Sequence, residues 1–290
     1  MSLTDLQSAS TRADQPSVCP TCLNRHVVTR SGRTRAEALR CPDCSDPCPI
    51  CDGEGYSLTR DWTGSLVSTP CVCQDWDRRI HLFNRAGIPR RYALADLEAT
   101  EDVNESVRAA KIACMNLTMG FEAGDPGLGL SGNVGTGKTH LLAAIARSLT
   151  LDNAVAVRFV EFTHLLSEIK RGYEQGKGEA EVLAHLVDAP VLIIDELGKG
   201  LATDWQTAIL DELISKRYNR SVTTLFSTNY PFEVSGAPRA RGEAFERVTL
   251  AQRVGSRMAS RLAEMCAFRV VDAPDFRARL TPGAGRTFNR

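Results

Sequence analysis

The sequence predicts an α/β protein, with a parallel sheet domain that carries a phosphate-binding loop and a small cysteine-rich zinc-binding module before it. Three observations lead to this prediction. Strand and helix signals alternate from about Glu105 onward, a pattern typical of a parallel sheet with helices on both faces. Residues Gly132–Thr139 read GNVGTGKT. Eight of the ten cysteines lie between Cys19 and Cys73.

The composition is that of a globular protein. With 43% hydrophobic and 24% charged residues, the chain is neither disordered throughout nor fibrous. No apolar run approaches the about 18 residues of a membrane helix, and the first residues lack the features of a signal peptide. We therefore expect a cytoplasmic protein without a membrane partner.

Charge is unevenly distributed, although 35 basic and 35 acidic residues cancel overall. Residues Arg239–Arg290 contain 11 arginines, no lysine and 5 acidic residues. This excess of positive charge is consistent with contact to phosphates. It is equally consistent with arginines that pair with acidic residues elsewhere in the fold. Charge alone leaves both interpretations open.

The clustered cysteines form four close pairs, CPTC, CPDC, CPIC and CVC. Two thiolates this close can bind one metal ion, and two such pairs complete a tetrahedron. The pattern predicts two zinc sites, whereas disulfides are disfavoured because no export signal is present. Consecutive pairing gives the ligand sets Cys19, Cys22, Cys41, Cys44 and Cys48, Cys51, Cys71, Cys73. An interleaved pairing has the same chemistry and stays open here.

The remaining cysteines, Cys114 and Cys266, are isolated, and Cys114 falls in an apolar series at helical spacing. The cysteine-rich segment has few large apolar residues, so much of its folding free energy must come from metal ions. We predict a separate zinc-binding module over residues 1–75. Residues 76–104 follow as a helical linker, because a helical apolar face there is broken by Gly87 and Pro89.

The domain over residues 105–290 contains five predicted strands and four main predicted helices. The strands are Leu128–Leu130, Val155–Val160, Val191–Ile194, Thr223–Ser227 and Phe268–Val271. The helices are His140–Leu149, Thr163–Tyr173, Trp205–Tyr218 and Leu250–Met265. The alternation predicts the parallel sheet.

The segment GNVGTGKT matches G-x-x-x-x-G-K-[ST] between a strand and a helix. Its glycines let backbone amides face phosphate oxygens, and the helix amino terminus adds partial positive charge. Lys138 would reach the β- and γ-phosphates, and Thr139 would bind Mg²⁺. A glycine turn with an incidental lysine is the weaker interpretation. The predicted nucleotide contacts are Gly132, Asn133, Val134, Gly135, Thr136, Gly137, Lys138, Thr139 and His140.

An acidic pair ends the apolar strand in VLIIDEL. Asp195 is placed to hold Mg²⁺ through water, and Glu196 to accept a proton from the attacking water. The next strand, TTLFSTNY, ends at Thr228 and Asn229, where the amide of Asn229 could orient that water. A turn-forming asparagine is the alternative.

Together, GNVGTGKTHL, VLIIDELG, TTLFSTNY and RMASRLAEMCAFRVVDAPDFR resemble the AAA+ ATPases of the bacterial replicative helicase loader group and the related transposition helpers, a DnaC/IstB-like family. The motifs span Leu128–Arg277. The resemblance implies ATP hydrolysis and a five-stranded parallel sheet in the order 5-1-4-3-2. CPICDGEGY, PCVCQDW and AGIPRRYALADL are similar to the zinc-containing region of loader-like members, which favours a loader.

The resemblance also implies roles by position. Asn229 corresponds to the polar sensor after the fourth strand, and Arg277 to a second phosphate-sensing arginine. Arg261 corresponds to an arginine finger that a neighbouring subunit receives in a homo-oligomer, with Arg257 one turn earlier. Each arginine could instead be a surface residue. Two features depart from the family pattern: the site at Cys19–Cys44, and a chain too short after the last strand for a full helical lid.

The function implied is an ATP-dependent loader for DNA replication, which places a replicative helicase on single-stranded DNA and contacts the helicase through the zinc module. Lys170, Arg171, Tyr173 and Lys177 lie where relatives carry a DNA-binding helical element, and they could equally form a solvated helix end. A transposition helper that binds duplex DNA and a transposase is one alternative. A zinc-ribbon adaptor switched by nucleotide is the other.

Overall fold

The computed structural model describes residues 18–176, 178–232 and 248–277. They form two compact units. Residues up to Val28 together with Leu39–Trp76 make up the first, here called the cysteine unit. Residues Thr29–Ala38 and those from Asp77 onward make up the second, the sheet unit. No helix in the described part of the chain has the length and apolar character needed to cross a membrane.

Two antiparallel hairpins precede the large sheet. β1 (Val27–Ser31) pairs with β2 (Ala36–Arg40), and β3 (Tyr56–Arg60) pairs with β4 (Leu66–Pro70). The turn between β3 and β4 is closed by Asp61, whose Oδ1 accepts hydrogen bonds from the amides of Thr63 at 2.9 Å and Ser65 at 3.0 Å. An aspartate that binds the amide two residues ahead is a common turn-forming device.

Five parallel strands form the centre of the sheet unit. They are β5 (Gly127–Ser131), β6 (Val157–Glu161), β7 (Val191–Asp195), β8 (Thr223–Thr228) and β9 (Cys266–Val270). Their order is β6-β7-β8-β5-β9. Counted from β5 as the first strand, this is the order 5-1-4-3-2 that the resemblance implied. All residues of β5, β7 and β8 are buried, as expected for inner strands covered on both faces.

Eight helices accompany the strands in the described residues. They are α1 (Cys73–Ala86), α2 (Glu105–Thr118), α3 (Lys138–Leu151), α4 (Phe162–Glu174), α5 (Glu179–Val187), α6 (Asp204–Asn219), α7 (Leu250–Val254) and α8 (Ser256–Met265). α3 has nine buried residues and is covered on most sides. One side of the core is built from fully buried side chains of α4, α6 and the sheet, such as Ile169, Leu213 and Phe226.

The helical segment predicted over Leu250–Met265 is confirmed in its bounds, but the chain breaks within it into α7 and α8. Gly255 lies between them with φ of 90°, a conformation that a residue with a side chain rarely adopts. The last strand also starts earlier than predicted. Cys266–Val270 pairs residue by residue with Gly127–Ser131, so β9 begins directly at the end of α8.

We predict residues 76–104 as a linker, and those from Asp77 onward belong to the sheet unit. Arg79 Nη1 donates to the carbonyls of Leu151 at 2.7 Å and Asp152 at 2.6 Å, at the end of α3. Asp96 forms an ion pair of 2.7 Å with Arg147. These contacts give the segment a fixed place beside the helix that follows the phosphate loop.

Candidate nucleotide site and cysteine centres

The phosphate loop runs from the end of β5 into α3, as predicted. Gly132, Gly135 and Gly137 adopt φ values of 152°, 82° and 94°, in the range that disfavours other residues. A Cβ at Gly132 would lie 2.2 Å from the carbonyl oxygen of Val271, and one at Gly135 would lie 1.9 Å from Asp275 Oδ1. The loop therefore requires glycine for space as well as for backbone geometry.

Lys138 lies inside this loop. Its Nζ donates to the carbonyl oxygens of Gly132 at 2.8 Å and Asn133 at 2.7 Å. Burial lowers the pKa of Lys138 to about 8, although the carboxylates of Asp195 and Glu196 act in the opposite direction. The amine is therefore held at the position where the loop can surround a phosphate.

Thr139 and Asp195 meet at the carboxyl-terminal edge of the sheet. Thr139 Oγ1 donates to Asp195 Oδ1 and Oδ2 at 3.1 and 3.0 Å, and Ser227 Oγ donates to Oδ1 as well. Burial raises the pKa of Asp195, and these two hydroxyls oppose the rise. A hydroxyl and a carboxylate in contact are the donor set that Mg²⁺ takes in phosphate-loop proteins, so the residues fit the ion.

Glu196 has a backbone φ of 57°, which is uncommon for a residue other than glycine. Its amide donates to Ser227 Oγ at 3.0 Å, and its carboxylate pairs with Lys199. Ser227 thus connects both acids of the pair. We did not predict a role for Ser227; its signal in the sequence is a polar residue inside the buried strand β8.

The segment after β9 returns to the phosphate loop. The amide of Val271 donates to the carbonyl of Ser131 at 2.7 Å, and that of Phe276 donates to the carbonyl of Gly135 at 3.0 Å. Arg277 follows directly and its amide donates to Asp275 Oδ1 at 2.8 Å. These contacts hold Arg277 beside the loop.

A cavity of about 510 Å³ opens beside the loop. The predicted residues that line it are Val134, Gly135, Thr136, Gly137, Lys138, Thr139, His140, Glu196, Asn229 and Arg277. Arg91, Tyr92 and Thr100 line it too, although we predicted their segment only as a linker. Burial lowers the pKa of His140, and its ring lies edge-on to Tyr92 with centroids 6.4 Å apart.

Arg261 is not among the described residues that line this cavity. Its Nη1 donates to Asp211 Oδ1 at 3.0 Å and to Ser215 Oγ at 2.5 Å, both on α6. Only 22% of its side chain is exposed. Arg257, on the first turn of α8, is exposed. Of the basic stretch Arg239–Arg290, residues 239–247 and 278–290 lie outside the described residues, as does Lys177.

A family model described as "IstB-like ATP binding protein" matches residues 59–238, more than half of the chain. The chain belongs to this IstB-like family. The matched range includes the phosphate loop, the Asp195/Glu196 pair and Asn229. Cys19, Cys22, Cys41, Cys44, Cys48, Cys51, Arg261 and Arg277 lie outside it.

Curated relatives are similar to part of this chain. The chain is 27% identical over 151 residues to YdaV of Escherichia coli (strain K12), covering 51% of this chain and 60% of YdaV. It is 26% identical over 153 residues to the replicative helicase loader DnaC of Buchnera aphidicola subsp. Baizongia pistaciae (strain Bp), covering 52% and 62%. The chain thus spans about three fifths of the length of these curated relatives.

Among solved structures, the crystal structure of the DnaC helicase loader is similar, with a TM-score of 0.54 and 28% identity. The match covers 62% of this chain and 98% of that chain. The IstB-like chain described here therefore has the AAA+ fold of that loader, and the likeness extends to sequence.

The eight cysteines of the cysteine unit meet in two consecutive groups. Cys19, Cys22, Cys41 and Cys44 form one, and Cys48, Cys51, Cys71 and Cys73 form the other, with the sulfurs of each group within 4.8 Å of one another. This is the consecutive rather than the interleaved pairing. Cys114 and Cys266 are buried apart from them.

The sulfur spacing is close to that around a tetrahedral ion, although the Sγ atoms of Cys22 and Cys44, at 3.3 Å, and of Cys51 and Cys73, at 3.5 Å, lie closer together. Zinc with Zn–S bonds of about 2.3 Å holds its sulfurs about 3.8 Å apart. Cys19 and Cys41 are 3.8 Å apart, and Cys48 and Cys71 are also 3.8 Å apart, measured between Sγ atoms. The amide of Gly55 donates to Cys51 Sγ at 3.2 Å, a contact that stabilises a thiolate ligand.

We predict two zinc ions per chain. Cys41→Ser or Cys48→Ser should each reduce the zinc content from two to about one, because three sulfurs hold the ion poorly. Metal analysis of the purified chain measures this. Chelation should also unfold the cysteine unit and spare the sheet unit. Cys114→Ser is the matched control and should keep two ions, whereas one or no ion in the unsubstituted chain would refute the assignment.

Proposed function

We propose that this protein hydrolyses ATP and uses the cycle to load a replicative helicase onto single-stranded DNA during replication. The contact of Thr139 with Asp195, beside Lys138 and Glu196, supports this proposal most directly, since it provides the groups that phosphoryl transfer requires. The likeness in fold and sequence to the DnaC loader supports the helicase part.

The side chains divide the chemistry among them. The loop amides from Gly132 to Gly137 and Lys138 would hold the β- and γ-phosphates. Mg²⁺ held by Thr139 and Asp195 supplies positive charge to the phosphate oxygens when bound. Glu196 would take the proton of the attacking water.

Three residues on the cavity wall would complete the binding of ATP. Asn229 is exposed into the cavity at the end of β8 and would orient the attacking water. Arg277 would contact the phosphates from the other side. Tyr92 would pack on the base, because aromatic rings stack well on nucleobases.

Single-stranded DNA would contact the end of α4. Lys170, Arg171 and Tyr173 are exposed there, and together they offer two positive charges and one ring. Lys170 Nζ also lies 5.4 Å from the centroid of the Trp205 ring, so this lysine has an alternative contact within the chain.

The helicase would contact the exposed β3–β4 hairpin of the cysteine unit. Tyr56 and Leu58 on β3 share one face with Leu66 on β4, according to the strand register, and all three are exposed. Trp62, in the turn, is 95% exposed. Large apolar side chains clustered on a surface commonly mark a protein interface, and tryptophan is prominent among the residues that dominate binding energy.

The double substitution Leu58→Ser with Trp62→Ser should reduce capture of the organism's replicative helicase about tenfold or more, because it removes apolar contact area. Pull-down with quantitative mass spectrometry measures this. Zinc content and ATP hydrolysis should not change. Leu94→Ser removes an equally exposed leucine of the sheet unit and should have no effect.

The same measurement distinguishes the other candidate functions. Capture of a transposase in place of a helicase, together with preference for duplex DNA, would replace the loader by a transposition helper. Binding of ATP without turnover at excess ATP would instead indicate an adaptor in which nucleotide only changes the conformation.

A further inference from the structure

A second cavity of about 330 Å³ lies at the opposite edge of the sheet from the nucleotide cavity. It is lined by residues that precede or begin β6 and β7, such as Arg158 and Pro190, and by α1. The phosphate loop and Asp195, in contrast, follow the carboxyl ends of β5 and β7. A five-residue strand spans about 17 Å, so the two cavities are separate sites.

Two arginines and two histidines lie among apolar residues in the lining of this second cavity. Arg85 and His81 come from α1, Arg158 from β6 and His185 from α5. The carboxylate in the lining is Asp188, which pairs with Arg220. Because Asp188 is paired with Arg220, Arg85 and Arg158 leave an excess of positive charge in this cleft, which attracts anions.

Arg35 adds a third guanidinium. Its Nη1 lies 3.4 Å from the position that a Cβ on Gly87 would take, at the end of α1. Burial lowers the pKa of Arg158, and the nearby charges of Arg85 and Arg35 lower it further. The three arginines are therefore close enough to repel one another.

Nothing within the described part of the chain neutralises these three guanidinium groups. In residues 18–176, 178–232 and 248–277, Arg35, Arg85 and Arg158 form no ion pair with a carboxylate. Other arginines of the sheet unit do, such as Arg147 with Asp96. Three neighbouring positive charges without a carboxylate partner attract an anionic ligand, with water and salt screening the exposed ones.

The backbone that carries these arginines, and the side chain of Arg158, are also held in place. Arg158 Nη1 donates to the carbonyl of Arg85. The amide of Ala36 donates to the carbonyl of Ile88 at 2.8 Å, which fixes the hairpin tip that carries Arg35. Arg90 Nη1 donates to the carbonyl of Arg33 at 3.1 Å. A site whose backbone is already ordered loses less entropy when a ligand binds.

We propose that Arg35, Arg85 and Arg158, with His81 and His185, form a basic pocket that binds phosphate groups of a nucleic-acid backbone. Arginine binds phosphate through paired hydrogen bonds. Arg33 and Arg90 continue the positive charge beyond the cavity, so the surface suits a chain of phosphates better than a single one. This pocket adds a nucleic-acid contact to the proposed function, and its test does not depend on a helicase.

The test uses the full chain with the double substitution Arg35→Gln and Arg85→Gln, both at exposed positions. Fluorescence anisotropy with a labelled 30-nucleotide single strand, and with the matching duplex, is recorded over a salt series. Affinity should fall about tenfold or more for at least one of them. The slope of log K against log salt should decrease by roughly 1.4 for the single strand, since each lost phosphate contact removes about 0.7.

Controls separate this effect from others. Arg108→Gln removes an exposed arginine that lies 3.9 Å from Glu105 and should change neither affinity nor slope by as much. ATP hydrolysis without DNA and the thermal unfolding temperature should stay unchanged in the double variant. Arg158→Gln provides an independent variant, whose salt slope should decrease by about half as much, roughly 0.7.

Three results would overturn the proposal. The first is unchanged affinity and salt slope for both nucleic acids. The second is that the double variant loses only its binding of inorganic phosphate or AMP and keeps its affinity for both nucleic acids. That result would mean that the pocket binds a small phosphate compound. The third is loss of helicase capture with intact DNA binding, which would mean that it binds an acidic protein segment. Failure of helicase capture by the unsubstituted chain would contradict the loader function and leave this pocket untouched.

Discussion

Glu196→Gln is expected to lower the rate of ATP hydrolysis by about 100- to 10,000-fold, the usual contribution of a general base, while ATP still binds. The amide has the shape of the carboxylate and can accept a hydrogen bond from Lys199, so the loop should keep its conformation. It cannot take a proton from water. Phosphate release gives the rate, and a fluorescent ATP analogue gives the affinity.

A matched control for this substitution exists on α6. Glu212 also pairs with a lysine, Lys216, one helical turn away, but it does not line the cavity. Glu212→Gln should therefore hydrolyse ATP at the normal rate. The Glu196→Gln chain should in addition accumulate in an ATP-bound assembly. Hydrolysis by Glu196→Gln at the rate of the unsubstituted chain would show that another group is the base.

The second large effect concerns Arg261. Arg261→Ala is expected to bind ATP nearly normally as an isolated chain and to lose hydrolysis by about 1000-fold or more, if the arginine acts on the nucleotide of a neighbouring subunit. Such a loss corresponds to about 4 kcal/mol. The partly exposed ion pair with Asp211 contributes only about 0 to 1 kcal/mol to the free energy of unfolding, so Arg261→Ala should stay folded.

Mixing two inactive chains tests the position of this group. Lys138→Ala lacks the charge that neutralises the β- and γ-phosphates, whereas Arg261→Ala keeps an intact phosphate loop. In a mixed assembly, some interfaces pair that loop with an intact Arg261. Recovery of hydrolysis would place Arg261 at the interface, and continued inactivity despite demonstrated mixed assembly would count against it.

Two further variants distinguish an arginine-finger role of Arg261 from a purely structural role. Asp211→Ala breaks the same ion pair and leaves Arg261 in place, so it should retain hydrolysis if the arginine acts in a neighbouring subunit. An equal loss in Asp211→Ala and Arg261→Ala would mean that the pair only supports the packing of α8 on α6. Arg257→Ala shows whether the more exposed arginine on α8 contributes instead.

Several features follow from the sequence alone because they depend on residues near one another in the chain. The phosphate loop is one, since glycine spacing and the adjoining strand and helix fully specify it. The strand ending at Asp195 and the close cysteine pairs are others, because a short segment limits where its side chains can go. The family resemblance rests on these same local motifs.

The tertiary structure decided what depends on residues distant in the chain. The cysteines form consecutive rather than interleaved sets because the fold brings two successive close pairs together in each set. Ser227 connects Asp195 and Glu196 only because β7 and β8 are neighbours in the sheet. Residues predicted as a linker line the nucleotide cavity because they pack beside α3.

The arginines show most clearly that the sequence alone does not reveal which distant residues come together. The sequence pointed to charge after Arg239, yet the basic pocket combines Arg35, Arg85 and Arg158 from a hairpin, a helix and a strand. No spacing rule connects these positions. Composition counts charges, whereas only the folded chain brings particular charges within a few ångströms, and electrostatic energy depends on that distance.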